Sequence, residues 1–369
     1  MTFSDNQPQS EISFQAVKNT DPVLIYDTTV SSTFTIAKIF KSNAGNRKTQ
    51  WGTETLNQVT LAGKARLKIS KVIPSPDKKF IAIEAYSDIY PTTWMINLHT
   101  GRLSLVLKNS FSHLLGWHPD NKHLILKVED AYVADPGLWF LDVHTKEHTR
   151  IDIPDLPYEG LLDVAVSPDG NQIAYAYSRG MGFGSELWMM DLSNNATRQV
   201  HVDAYGVVGY IIWSPNGEQV AFTEMLDSPI PFQQGGLWIV NADGSNLKLL
   251  STSIDGGHGQ EPVFSADGKK LYFVERGNPQ DNNANYEPDA LISSIQSVEL
   301  STGRVTELVS ANGSKQLDIS LSSDGSIFFV SNRGGGASEV WVLDSDGILQ
   351  QITTDGQNKN HPLIVSVNN

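Results

Sequence analysis

The chain has no cysteine. Disulfides, thiolate metal sites and cysteine nucleophiles are therefore excluded, while the redox compartment stays open. Basic residues are short as well: 41 acidic against 27 basic side chains leave a net charge of −14 with histidines neutral. A surface of that sign repels phosphate backbones, so no nucleic-acid partner is expected and an anionic membrane is a poor one. Long apolar runs are missing; stretches such as 81–83 and 327–330 are too short to cross a bilayer, and no transmembrane segment is expected. Residues 1–13 lack the basic start and apolar centre of a secretory leader. Neither a Gly-x-Ser-x-Gly elbow nor a phosphate-cradling glycine loop occurs; Gly334-Gly-Gly336 is followed by no Lys-Ser/Thr pair.

What the chain does contain is a repeat. An apolar strand, a Ser-Pro-Asp-Gly-like turn and a second apolar strand occur as Val72-Ile-Pro-Ser-Pro-Asp-Lys-Lys-Phe-Ile-Ala-Ile83 and Leu115-Gly-Trp-His-Pro-Asp-Asn-Lys-His-Leu-Ile-Leu126. They return around Ser167-Pro-Asp-Gly170, Ser214-Pro-Asn-Gly217, Ser265-Ala-Asp-Gly268 and Ser322-Ser-Asp-Gly325. Proline pre-sets φ at the first turn position, Asp or Asn caps the turn, and Gly tolerates positive φ. Most units continue into a third strand carrying a tryptophan (Trp94, Trp139, Trp188, Trp238, Trp341), whereas the strand around Gln296 has none. A second short turn such as Ala242-Asp-Gly-Ser245 leads to a fourth strand. Four short antiparallel strands every 43–57 residues or so predict an all-β chain, a β-propeller of four-stranded blades. The tryptophans are expected to fill the wedges between neighbouring blades.

The two ends look complementary. His361-Pro-Leu-Ile-Val-Ser366 reads as a first strand that stops inside its turn, and 23–26, 33–40 and 58–61 supply three more. One C-terminal strand joined to three N-terminal strands makes a closing blade and leaves no open edge. Counting it gives a seven-bladed propeller; a six-bladed ring with an N-terminal appendage is the alternative. Residues 1–15 read as a flexible segment and 16–369 as a single propeller domain.

The Ser-Pro-Asp-Gly turns and the Leu-Trp-x-x-Asp third strands (Leu138 to Asp142, Leu187 to Asp191) resemble the WD40-like PD40 repeat of TolB-type propellers, over roughly 71–369. The chain departs from TolB in blade count and in having only about 20 residues before its first strand, too few for TolB's separate N-terminal α/β domain. The repeat is also similar to the propellers of prolyl oligopeptidase-type peptidases, without room for their hydrolase domain. The resemblance implies the fold, and an exported location, periplasm or cell surface, with a leader absent from this numbering; the cytoplasm is the alternative. Function has to be argued from sites.

In such blades the first-to-second and third-to-fourth connections share one face and are tight here. The other face receives the long connections, including 225–236 and 276–290. That face is the expected protein-binding surface. Its candidate residues are Tyr90, Tyr132, Tyr158, Phe183, Tyr205, Pro229, Ile230, Phe232 and Tyr286, aromatic and apolar types that dominate interfaces. The 225–236 loop is stiffened by prolines, while 276–290 is polar and expected to be flexible unless a partner or ion orders it. Residues just before each first strand should ring a channel mouth: His113, Asp163, Tyr210, His258, Glu261, Asp318 and His361. Their histidines lack ligand-pair spacing such as His-x-His, so no metal, cofactor or catalytic residue is assigned. The reading is a non-enzymatic protein-binding or scaffold propeller. The alternatives are a glycan or small-molecule binder at the channel mouth and a metal-dependent polysaccharide lyase or hydrolase.

Overall fold

The first hairpin of each repeat closes in one way. Ser167 N–H donates to Gln172 O (2.8 Å) and Gly170 N–H to Ser167 O (2.9 Å). Ser167 Oγ donates to Asp169 Oδ1 (2.5 Å) and accepts from Gln172 N (2.9 Å). The turns at Ser75, Ser214 and Ser265 repeat all four bonds. The residue after the Asp or Asn takes left-handed backbone, with φ of 62° at Lys78 and 78°, 71° and 68° at Gly170, Gly217 and Gly268. Glycine fills three of these four places because a Cβ costs energy there.

These hairpins sit in a computed structural model that describes residues 12–14, 16–17, 22–28, 31–42, 50–61, 67–87, 90–107, 111–129, 136–154, 160–180, 184–203, 205–228, 230, 233–255 and 261–366. Among them lie 29 strands and two single-turn 3-10 helices, an all-β chain of antiparallel sheets. Successive four-stranded groups cover 68–107, 112–151, 161–203, 206–255, 263–309 and 316–351. The groups 206–255 and 263–309 join through one cross-strand pair, Ile254 with Glu275, into an eight-stranded sheet. The last group has the order Lys359–Ser366, Pro22–Thr28, Ser31–Ser42, Gln50–Thr60. Val365, Ile364 and Leu363 pair with Val23, Leu24 and Ile25, so the expected union of the chain ends is present.

The chain divides into two compact units, 1–151 with 320–330 and 337–369, and 152–319 with 331–336. In the first unit, the apolar faces of the terminal and 68–107 sheets bury Val23, Ile25, Phe34, Ile36, Ile81, Ile83, Trp94 and Ile96 in one core. Trp117 Nε1 then donates to Ile73 O (3.0 Å), tying the 112–151 sheet to its predecessor. The second unit uses the same device, with Trp213 Nε1 donating to Ala165 O (3.0 Å). There Ser185 Oγ also donates to Gly206 O (3.0 Å) and accepts from Val208 N (2.6 Å), and Ser293 Oγ does the same with Gln316 (2.8 Å both). A buried hydroxyl that both donates and accepts leaves neither strand with an orphaned backbone group.

The third-strand tryptophans meet the expectation in part: Trp94, Trp139 and Trp238 pack in or against cores drawn from two neighbouring strand groups. Trp94 is buried, but Trp139, Trp188, Trp238 and Trp341 are half-buried. Trp188 and Trp238 stack on Tyr175 and Phe222 of their own sheets, at ring separations of 6.4 and 6.3 Å. An indole N–H taken out of water needs a partner. Trp94 Nε1 donates to Thr92 Oγ1 (3.1 Å) and Trp188 Nε1 to Glu186 Oε2 (2.8 Å), each two residues back. Gln296 stands at the tryptophan position of its repeat and makes the same bond, Nε2 to Ser294 Oγ (2.9 Å).

Ile12–Ser13 adds a fifth strand to the 68–107 sheet, with Ile12 opposite Leu103. Phe14 N–H donates to Gly101 O (2.7 Å), and Val17, itself buried, donates to Leu98 O (2.9 Å). Gly101 has a φ of 68°, and a Cβ there would meet Phe14 O at 2.0 Å. Part of the segment expected to be flexible is thus held against a sheet edge.

Candidate functional site

The first strand of most groups carries a β-bulge: register shifts fall between Ile69 and Lys71, Leu161 and Asp163, Gly209 and Ile212, and opposite Ile25 and Asp27 in the terminal sheet. Bulges re-aim side chains and cluster near functional sites. Tyr210 and His361 adopt left-handed backbone at two of these bulges, with φ of 49° and 47°, and Asp318 does so in the first strand of its own group, with φ of 55°. Non-glycine residues pay for that conformation. All three are among the residues expected at a channel mouth.

Their polar atoms, however, serve the framework. His361 Nδ1 lies 2.7 Å from the buried Asp27 Oδ1. Asp163 accepts from Val164 N and Ile211 N, both at 2.9 Å, bridging adjacent strand groups. His113 Nδ1 meets the Tyr86 hydroxyl at 3.1 Å, and its Nε2 lies 3.4 Å from Glu129 Oε2. The buried Glu84 accepts from Leu114 N (2.7 Å) and Ser70 Oγ (2.9 Å). Burial, then the Glu84 carboxylate, pushes the Tyr86 hydroxyl up to about 12, so it remains a proton donor at neutral pH. Burial raises the Glu129 carboxyl, but the Lys127 ammonium beside it outweighs that and holds it below the usual range. Glu261 is exposed, Asp318 half-buried, and His258 lies outside the described residues.

Of the expected interface residues, Tyr132, Tyr158, Phe183, Pro229 and Phe232 lie outside the described residues, as does the Tyr90 side chain. Tyr205 is 74% exposed and Tyr286 56%. Tyr205 O accepts from Asp227 N (2.6 Å), and Gly206 pairs with Leu226, so Tyr205 and Leu226 share one end of their sheet. Gln233 Nε2 donates to Leu226 O, Ser228 Oγ and Ile230 O, at 3.0, 2.9 and 3.2 Å, bracing the connection on which the half-buried Ile230 sits.

The 276–290 connection corrects the expectation of a loop that needs an outside partner to order it. Asn278 Nδ2 donates to Ala290 O (2.8 Å) and its Oδ1 accepts from Ile292 N (2.9 Å), closing the loop at its base. Lys315 Nζ reaches Asp289 Oδ1 (2.7 Å) from the next strand group. The hairpin at His118 holds one group that sequence reading missed: His118, Asp120 and His123 bring their ligating atoms within 4.8 Å of one another. The available signal was the replacement of the repeat's turn serine by His118.

No family model matches the sequence. The Tol-Pal system protein TolB of Francisella tularensis subsp. tularensis is 24% identical over 261 residues, which cover 64% of this chain and 55% of that protein. The chain thus spans about half the length of the curated relatives it matches. Among solved structures, tricorn protease aligns with a TM-score of 0.56 at 11% identity, over 99% of this chain and 36% of that one. An oligogalacturonate lyase in complex with manganese aligns with a TM-score of 0.52 at 13% identity, over 94% and 86%. At such identities the structural likenesses speak to fold alone. In its repeated four-stranded unit and its Ser-Pro-Asp turns, and through the TolB relatives, the chain is similar to the TolB-type PD40 β-propeller family.

Proposed function

We propose that the chain is a non-enzymatic protein-binding or scaffold propeller that recruits its partner through the long connections, around Tyr205, Leu226 and 225–236. In this reading residues 16–369 form one seven-bladed domain, the eight-stranded sheet counting as two blades at its single-pair seam, and the protein works in the periplasm or at the cell surface. The observation that carries it is local. Val202, Tyr205 and Leu226 are 54%, 74% and 57% exposed at one junction between neighbouring strand groups. Large apolar side chains left in water beside a braced loop favour docking, because little entropy is lost on binding. The TolB relatives, named as Tol-Pal system proteins, support membership in a protein assembly.

A photo-crosslinking residue placed at Tyr205, with Asn194 on a tight turn as control, tests this in living cells. A discrete adduct at 205, absent at 194 and lost in Leu226→Asp, is the expected result. Equal labelling at both positions, or none, would sink the reading. Ligand binding or metal-dependent lyase chemistry at the channel mouth is the weaker reading, because His113, Asp163 and His361 are already engaged by framework groups.

A further inference from the structure

The turn at 118–123 keeps the backbone of its counterparts and changes their side chains. His118 N–H donates to His123 O (2.8 Å) and Asn121 N–H to His118 O (3.2 Å), the same two bonds that close the serine turns. Asn121 has a φ of 62°, in the place of Lys78 or glycine. Asp120 Oδ1 accepts from Lys122 N (2.9 Å) and His123 N (3.1 Å), so one carboxylate oxygen holds the turn. In four other turns the serine hydroxyl completes the closure. Here imidazoles occupy both the serine position and the position five residues on, where other repeats have Phe80, Gln172, Gln219 or Lys270. Folding of the hairpin does not ask for either ring.

Both rings converge on the other oxygen of Asp120. Oδ2 lies 3.1 Å from His118 Nδ1 and 2.6 Å from His123 Nδ1. His118 Nδ1 also faces the Asp120 N–H at 3.3 Å, which calls for a lone pair on that nitrogen. A lone pair turned toward a carboxylate oxygen is repelled unless a cation stands between them. The far side of His123 is oriented too, with Nε2 4.0 Å from Asp142 Oδ2, while Asp142 Oδ1 is fixed by His144 N (2.7 Å) and Thr145 N (2.9 Å). A carboxylate behind a ligating histidine is the usual means of orienting it. His118 rests on Phe140, at a ring separation of 5.2 Å, and Asn121 Oδ1 accepts from Asp77 N (2.7 Å), anchoring the hairpin to its neighbour. The side chains of His118, Asp120 and His123 are 18%, 32% and 32% exposed, which leaves an approach for an ion and one coordination position for water.

We propose that His118 Nδ1, Asp120 Oδ2 and His123 Nδ1 form a binding site for a divalent transition metal of the zinc class. Two imidazoles and one carboxylate suit Zn2+, Co2+, Ni2+ or Cu2+ and disfavour Mg2+ and Ca2+. Tetrahedral coordination at about 2.0–2.2 Å sets ligand atoms about 3.3–3.6 Å apart, so the His123–Asp120 contact of 2.6 Å would open by a side-chain rotation of either residue on a fixed turn. Other repeats supply the controls, since Ser and Gln stand at these positions around Ser167 and Gln172 and again around Ser214 and Gln219. His118→Ser with His123→Gln therefore gives this hairpin the side chains of hairpins that fold.

The experiment titrates the full chain with Co2+ alone, followed by its visible ligand-field spectrum, and then displaces it with Zn2+. One equivalent with the intensity of a four-coordinate site is expected, and His99→Ala should leave it unchanged. The double variant should retain its melting midpoint without metal and lose at least about tenfold in affinity. Absence of a Co2+ spectrum in the native chain, or the same spectrum and affinity in the double variant, overturns the proposal.

Discussion

The hairpin framework and the second-to-third connections of this chain follow opposite rules. In the framework one position does one job in repeat after repeat: Ser75, Ser167, Ser214 and Ser265 make the same two side-chain bonds, and Trp117 and Trp213 make the same stitch to a carbonyl in the preceding strand group. In the connections each solution is singular, Gln233 bracing one loop and Asn278 with Lys315 another. Fold stability accordingly belongs to the repeated positions, and the proposed recognition to those that occur once.

The comparison breaks most visibly at Trp94. The ring is 3% exposed in the first unit's core, so Trp94→Ala should cost about 3–5 kcal/mol in denaturant unfolding. A loss under about 1 kcal/mol would place the stability elsewhere. Removing 359–369 takes away the strand paired with Pro22–Thr28 and bares Val23, Leu24 and Ile25, which are 1%, 0% and 0% exposed. Calorimetry should show a drop of at least the Trp94→Ala size, and an unshifted midpoint would break the comparison from the other side.

Next in size comes Ser167→Ala, which deletes one donor and one acceptor in a buried turn and should cost about 1–2 kcal/mol. His118→Ser should cost less than about 0.5 kcal/mol, because it restores the side chain other turns use. Acid sharpens the point. Burial raises the Asp120 carboxyl, but the N–H of Lys122 and the His123 side chain outweigh it and hold the group at about 2. A folded-state value below the unfolded one gives stability that is full above about pH 4 and is lost as pH falls through 2. Asp120→Asn should flatten that part of the acid-unfolding curve. Smallest of all for stability is Leu226→Asp, within about 0.5 kcal/mol, yet it should abolish crosslinking at Tyr205.

The framework was legible because its signals are local. A Pro-Asp-Gly turn between apolar strands is decided by five or six neighbouring residues, and each copy corroborates the next. Even the chain ends could be matched, since 361–366 reads like the other first strands. The site was less legible for the converse reason. The bracing of 276–290 depends on Lys315, 26 residues from its partner Asp289. The half-burial of Trp188 and Trp238 depends on how the sheets pack, which apolar patterning does not report. His118 and His123 carry no His-x-His spacing and lie away from the channel-mouth positions; only the folded turn brings a five-residue separation onto one carboxylate.

The union of the chain ends has a mechanical side. Pro22 lies opposite Ser366, so both segments leave the ladder at the same end of the pairing. Tension applied between them would load one cross-strand pair at a time, starting there and travelling toward Thr28 and Lys359, in the manner of a zipper. Heat must break the terminal sheet's contacts together, but a pull on the two ends can part them in sequence. A molecule held at Pro22 and Ser366 should therefore yield at low force, well before its hairpins open.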